Sequence, residues 1–184
     1  MAGVLRPSPV ALLVCLAALA LPSLAAAQTL KVAPLSRDSQ VLVSFELNQE
    51  LTDEMREAIH SGLTYSFVYR VDLRRGSAIW IDRTVASAVV TASVRFDNLT
   101  RRYHVTRLLD GRTDRVETTD REEVAWTWLT SGFDRMALFT RAQLQPNAEY
   151  YVRVRAHSSP RNNIFPMPWH GDDVVGLAKF TFIR

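Results

Sequence analysis

Cysteine is almost missing from this chain. Its 184 residues include one, Cys15, near the start. No disulfide can form within the chain, so burial of apolar surface has to hold the fold. Glycine is sparse as well, at seven, and no glycine-rich loop of the kind that cradles phosphate occurs. Lysine is confined to Lys31 and Lys179, so the 22 basic residues are almost all arginine. Against 19 acidic residues this leaves a formal net charge of +3. A mixed-sign surface of small net charge suits solubility and does not call for a nucleic-acid partner.

What is present begins with residues 1–27. They carry one charge, Arg6, then an apolar stretch from Val10 to Leu24, then Ala25-Ala26-Ala27. A basic start, a short apolar core and small residues at the end form the layout of a secretory signal peptide. The core of about fifteen residues is shorter than the roughly 20 that span a bilayer, and Pro22 disfavours a continuous helix. Cleavage after Ala27 leaves Gln28 as the new N-terminus and removes Cys15. Val14 precedes that cysteine mid-run, which does not fit a lipoprotein signal. The remaining chain has no transmembrane segment, and its length suits one domain. We expect a polar N-terminal lead-in over 28–40 and one domain over 41–184.

Within that domain the pattern is mainly β. Val41, Val43, Phe45 and Leu47 alternate with polar neighbours, as in a half-buried strand. Thr52 is placed to cap a short helix, with Met55, Ala58 and Ile59 on one face and Ser61-Gly62 as its stop. Tyr65, Phe67, Tyr69, Val71 and Leu73 share one side of a long strand. Ala78–Asp82 reads as a short strand or bridge, and Val85–Phe96 as a β-branched strand. Asp97-Asn98 is a turn, Arg102–Leu109 a strand, and Asp110-Gly111 a strong hairpin signal before a polar return strand. Asp120 and Glu123 have capping-box spacing for a second helix whose inner face is Val124, Ala125, Trp128 and Leu129. Strands follow over Met136–Leu144, Tyr150–His157 and Leu177–Ile183. The sum is an antiparallel β-sandwich of seven to nine strands with two short helices.

Chemical motifs are scarce. His60, His104, His157 and His170 show no zinc spacing, and no nucleophile elbow or Ser-x-x-Lys occurs. No catalytic, cofactor-binding or metal-binding residue is expected. Asn98-Leu99-Thr100 matches a glycosylation acceptor pattern, but it falls in a turn that suits Asn for backbone reasons. Two features remain as an interaction surface. Tyr151, Arg153, Arg155 and His157 line one side of a strand, either as a stacking platform or as a solvated face with cross-strand ion pairs. In the segment 158–173, Ile164, Phe165, Met167, Trp169 and His170 sit among prolines, and either meet a partner or cap the sandwich. Phe165, Trp169, His170, Arg153 and Arg155 are the candidate contact residues.

Several stretches together carry a resemblance. They are Ala58-Ile59-His60-Ser61-Gly62, Leu63-Thr64-Tyr65-Ser66-Phe67, Ile79-Trp80-Ile81-Asp82, Leu99 through Val105, and Tyr150 through Arg155 before a tail bearing Pro and Trp. From about Val41 onward the chain resembles the bacterial exported family catalogued as domain of unknown function 4390. The resemblance implies an exported bacterial protein with no assigned activity and no functional residues to carry over. The expected function is a non-enzymatic binding or structural role in the cell envelope, with an envelope protein as partner. Two rivals are an enzyme whose site joins His104, His157 or His170 to an acid from another strand, and a small outer-membrane β-barrel.

Overall fold

A computed structural model describes residues 29–76, 83–160 and 173–182. The described residues form nine strands and two helices: β1 (Thr29–Arg37), β2 (Gln40–Asn48), α1 (Asp53–His60), β3 (Tyr65–Arg75), β4 (Arg83–Asp97), β5 (Arg102–Leu109), β6 (Arg112–Thr119), α2 (Glu122–Thr130), β7 (Phe133–Thr140), β8 (Ala148–Pro160) and β9 (Val174–Phe182). A three-stranded sheet runs β1-β2-β7 and a six-stranded sheet runs β6-β5-β4-β3-β8-β9. Every pairing is antiparallel. The expected mainly β, antiparallel sandwich with two short helices is what the chain forms.

The core lies between the sheets. Val41, Val43, Phe45 and Leu47 of β2 face Tyr65, Phe67, Tyr69, Val71 and Leu73 of β3, all buried. Phe45 stacks on Phe133 with centroids 4.5 Å apart, and Tyr69 lies 4.8 Å from Phe133. Such aromatic contacts add to the area they remove from water. The buried Tyr69 hydroxyl donates to the Leu129 carbonyl at 2.6 Å, which ties β3 to the end of α2. Burial pushes the Tyr69 hydroxyl pKa up, so it stays a neutral donor.

Three local expectations need correction, and the Asp97-Asn98 turn forms as expected. The lead-in 28–40 contains β1, paired with β2 from Thr29↔Asn48 to Arg37↔Gln40. Its alternation fades in the sequence because Pro34 and Ser36 occupy inner positions after Leu30 and Val32. An edge strand tolerates proline, which the middle of a sheet does not. Helix α2 starts one turn position later than the capping box implies: Arg121 is the N-cap residue and no side chain caps it. Met136–Leu144 is not one strand, since β7 spans Phe133–Thr140 and a 3₁₀ turn follows at Arg141–Gln143. In the β4–β5 turn the left-handed residue is Arg101 (φ 57°), while Asp97 accepts from the Leu99 and Thr100 amides. The stretch Ala78–Asp82, residues 1–27 and most of the segment 158–173 lie outside the described residues.

The outer-membrane barrel is not the architecture formed. Among the described residues the strands pair into two separate sheets with apolar sides facing each other. A lipid-facing barrel needs apolar side chains outward, where β3 places Arg70 and Arg74.

Candidate functional site

Two surfaces gather side chains with recognisable chemistry. The first is the open face of the six-stranded sheet. Because strand residues alternate, inward Tyr69, Val71 and Leu73 put Arg70, Asp72 and Arg74 outward. Register sets Arg70 opposite Arg155, Asp72 opposite Arg153, and Arg74 opposite Tyr151. The Asp72 side chain is 5% exposed. It accepts from the Ser87 hydroxyl at 2.8 Å, from Arg153 Nη2 at 3.0 Å and from Arg155 Nη2 at 3.2 Å. Burial would raise its carboxyl, but the Ser87 hydroxyl and the two guanidinium groups outweigh it and hold the group below the usual carboxylate range. Arg74 lies over the Tyr151 ring at 5.6 Å.

So Arg153 and Arg155, which the sequence offered as contact residues, are brought together by one acid. The same face carries Arg95 and Lys179, and its further acids include Glu149, Asp97 and Asp173, the last paired with His157. On β9, Val175 and Leu177 sit opposite Arg155 and Arg153 and are 48% and 62% exposed. Phe165, Trp169 and His170, the other contact residues offered by the sequence, lie outside the described residues.

The histidines form separate surface pairs. His157 Nδ1 is 3.2 Å from Asp173 Oδ1. His104 Nε2 is 3.9 Å from Asp97 Oδ2, and its Nδ1 is 3.3 Å from the Thr118 hydroxyl. His60 Nε2 meets the Tyr103 hydroxyl at 2.8 Å and stacks on Phe96. Glu122 Oε1 accepts from Arg56 Nε at 2.7 Å, and Glu122 Oε2 lies 3.8 Å from His60. That group joins α1 to α2. Among the described residues no set of three His, Cys, Asp or Glu is arranged to hold a metal ion.

The second surface escaped the sequence reading. On β5 the inward positions are Tyr103, Val105 and Arg107, so an arginine points toward the core side. Arg107 is 5% exposed. Its guanidinium lies 4.2 Å from the Phe133 ring centroid and 4.6 Å from that of Trp128. Arg115 lies over Trp128 as well, at 5.2 Å. Rings and cations thus alternate as Phe133, Arg107, Trp128, Arg115, each contact favoured by the ring quadrupole. Arg107 Nη1 donates to the Gly132 carbonyl at 2.9 Å and Nη2 to the Ser131 carbonyl at 3.4 Å. Glu117 takes Arg115 at 2.7 Å and the Trp128 indole N–H at 3.2 Å. A cleft of about 460 Å³ opens beside the stack, bordered by Arg107, Arg115, Arg121, Glu123, Val124 and Trp128 among others; no histidine among the described residues lines it. The available signal was a charged residue at an inward register position between Val105 and Leu109.

The model of a family described as Domain of unknown function (DUF4390) matches residues 25–162. The match takes in β1, which lies ahead of the Val41 start that the sequence resemblance suggested. No curated protein and no solved structure matches the chain.

Proposed function

The chain belongs to the DUF4390 family, and on that premise we propose that it is an exported, non-enzymatic binding protein of the bacterial cell envelope, with a protein partner docking on the open face of the six-stranded sheet. Support for export is the sequence of residues 1–27. The observation that carries the binding role is the composition of that sheet face. It presents Arg70, Arg74, Arg95, Arg153, Arg155 and Lys179 against Asp72, Glu149, Asp97 and Asp173, with exposed Val175 and Leu177 alongside. Asp72 is already spent on Arg153 and Arg155. The face is therefore a basic stripe next to an apolar one, which suits an acidic partner surface with an apolar centre.

Support for a non-enzymatic role comes from the groups at the cleft. Arg107, Arg115 and Arg121 there do not exchange protons near neutral pH, so they bind and orient anions rather than act as acids or bases, and Glu123 is the one carboxylate among the described residues bordering it. His104 and His157 sit elsewhere, in exposed pairs.

Cross-linking in the envelope tests the docking face. A photo-reactive residue at position 177 should capture a defined protein, and one at position 99, in the β4–β5 turn, should not. Arg70→Glu with Lys179→Glu should abolish the capture. Equal capture from both positions refutes the face. Saturable hydrolysis of an ester, phosphate or glycan by the purified protein refutes the non-enzymatic role. A native protein that retains Met1 and stays in the cytosol refutes export.

A further inference from the structure

The Phe133–Arg107–Trp128–Arg115 stack holds a buried cation that, among the described residues, has no direct ion pair. A buried charge is normally matched by a group of opposite sign. Arg107 has carbonyl partners at Ser131 and Gly132, yet among the described residues no carboxylate stands within ion-pair distance of it. Its Nε is buried with no hydrogen-bond partner. Two more guanidinium groups, Arg115 and Arg121, border the same cleft. Glu117 is taken by Arg115 and the Trp128 indole, which leaves Glu123 as the acid on the cleft wall.

We propose that this cleft, between α2 and the β5–β6 hairpin, binds a small organic anion: a carboxylate or phosphate group carried on an apolar body. Among the described residues three arginines and one glutamate border the cleft, so an anion there is met by an excess of positive charge. Val124 and Trp128 supply the apolar wall. The volume falls within the range of small-molecule sites. The clamp matters too. The Arg107 guanidinium rests against the rings of Phe133 and Trp128, and its bonds to the two carbonyls fix its rotation. Its ordering cost is met in folding, and a ligand does not have to bear it again. Burial, with Arg115 nearby, also lowers the Arg107 pKa, while Asp114 and Glu117 act the other way. A purely structural role for Arg107, closing the carbonyls at the end of α2, accounts for its own bonds. It does not account for Arg115 and Arg121 at the same opening.

An NMR titration of the isotope-labelled protein tests the site, with benzoate, phenyl phosphate and inorganic phosphate as probes. Benzoate or phenyl phosphate should move the Trp128 indole N–H and the Ser131 and Gly132 amides to saturation. Whichever of the two binds more tightly identifies the headgroup. Arg121→Gln and Arg115→Gln should each weaken that binding at least tenfold, with the rest of the amide spectrum unchanged. The proposal fails if neither organic probe saturates, or if both variants bind as the parent does. It fails as a site for an organic anion if inorganic phosphate binds as tightly as phenyl phosphate.

Discussion

At the scale of single residues, two buried charges are handled in opposite ways. Asp72 is surrounded by donors, while among the described residues Arg107 makes its direct contacts with carbonyls and ring faces rather than with a carboxylate. Removing one member of a deeply buried ion pair costs about 3–5 kcal/mol, because the other charge is stranded. The partners of Asp72 are 27% and 32% exposed, so water recovers part of that. Asp72→Ala should therefore cost about 1.5–3 kcal/mol, the range for hydrogen bonds to charged groups. Urea denaturation at pH 7 reads it. The pH dependence follows from the direction of the shift. A carboxyl held below its unfolded value adds stability above that value and loses it as pH falls through the folded one. The parent protein should therefore lose more stability below about pH 4 than Asp72→Asn does, in denaturation curves taken across that range. Equal losses would show that Asp72 does not titrate against its two arginines.

At the scale of elements, turns and caps decide where strands begin and end. Asp110 (φ 48°) and Gly111 (φ 79°) both have left-handed backbone in the two-residue β5–β6 turn. That matches the hairpin type whose twist suits the flanking strands. An added Cβ at Gly111 would meet nothing within 4 Å. Gly111→Ala therefore isolates the backbone cost and should destabilise the protein by about 1–2 kcal/mol, read from the denaturant midpoint at unchanged slope. Thr52 caps α1 by accepting from the Met55 amide at 3.3 Å. Thr52→Ala should cost about 1 kcal/mol. The sequence revealed both features because each depends on adjacent residues. Asp120 was read as a cap by the same local rule and is not one. Tertiary contacts of α2, including the Trp126 indole bond to the Gln49 carbonyl at 2.9 Å, set its start instead.

At the scale of the molecule, the sandwich is closed on one side by β1 against β9. Gly176 makes that approach possible. A Cβ there would collide with the Leu30 carbonyl oxygen and come 2.7 Å from Val32 Cγ2. The obstacle is backbone, which cannot swing away. Gly176→Val should push β1 off β9 and cost at least about 1–3 kcal/mol, the usual penalty of overpacking. Hydrogen exchange should accelerate first in Leu30–Val32. Protection unchanged there would mean that β1 is held by β2 alone. With no disulfide available after residue 15, this packing has no covalent support.

Nearly all of the β pattern was legible in the order of residues, since period-two alternation marks which side of a strand meets the core. Val41 through Leu47 and Tyr65 through Leu73 show it plainly. β1 was not legible, because Pro34 and Ser36 break the alternation where the strand lies at an edge. Arg153 and Arg155 could be placed on one face from their spacing. Their shared carboxylate could not, because Asp72 lies some eighty positions earlier and only strand pairing sets it beside them. The same holds for the aromatic clamp on Arg107, built from β5, α2 and β7. Local sequence fixes conformation through neighbouring atoms; a site made from distant strands exists only once the sheets have paired and their register is set.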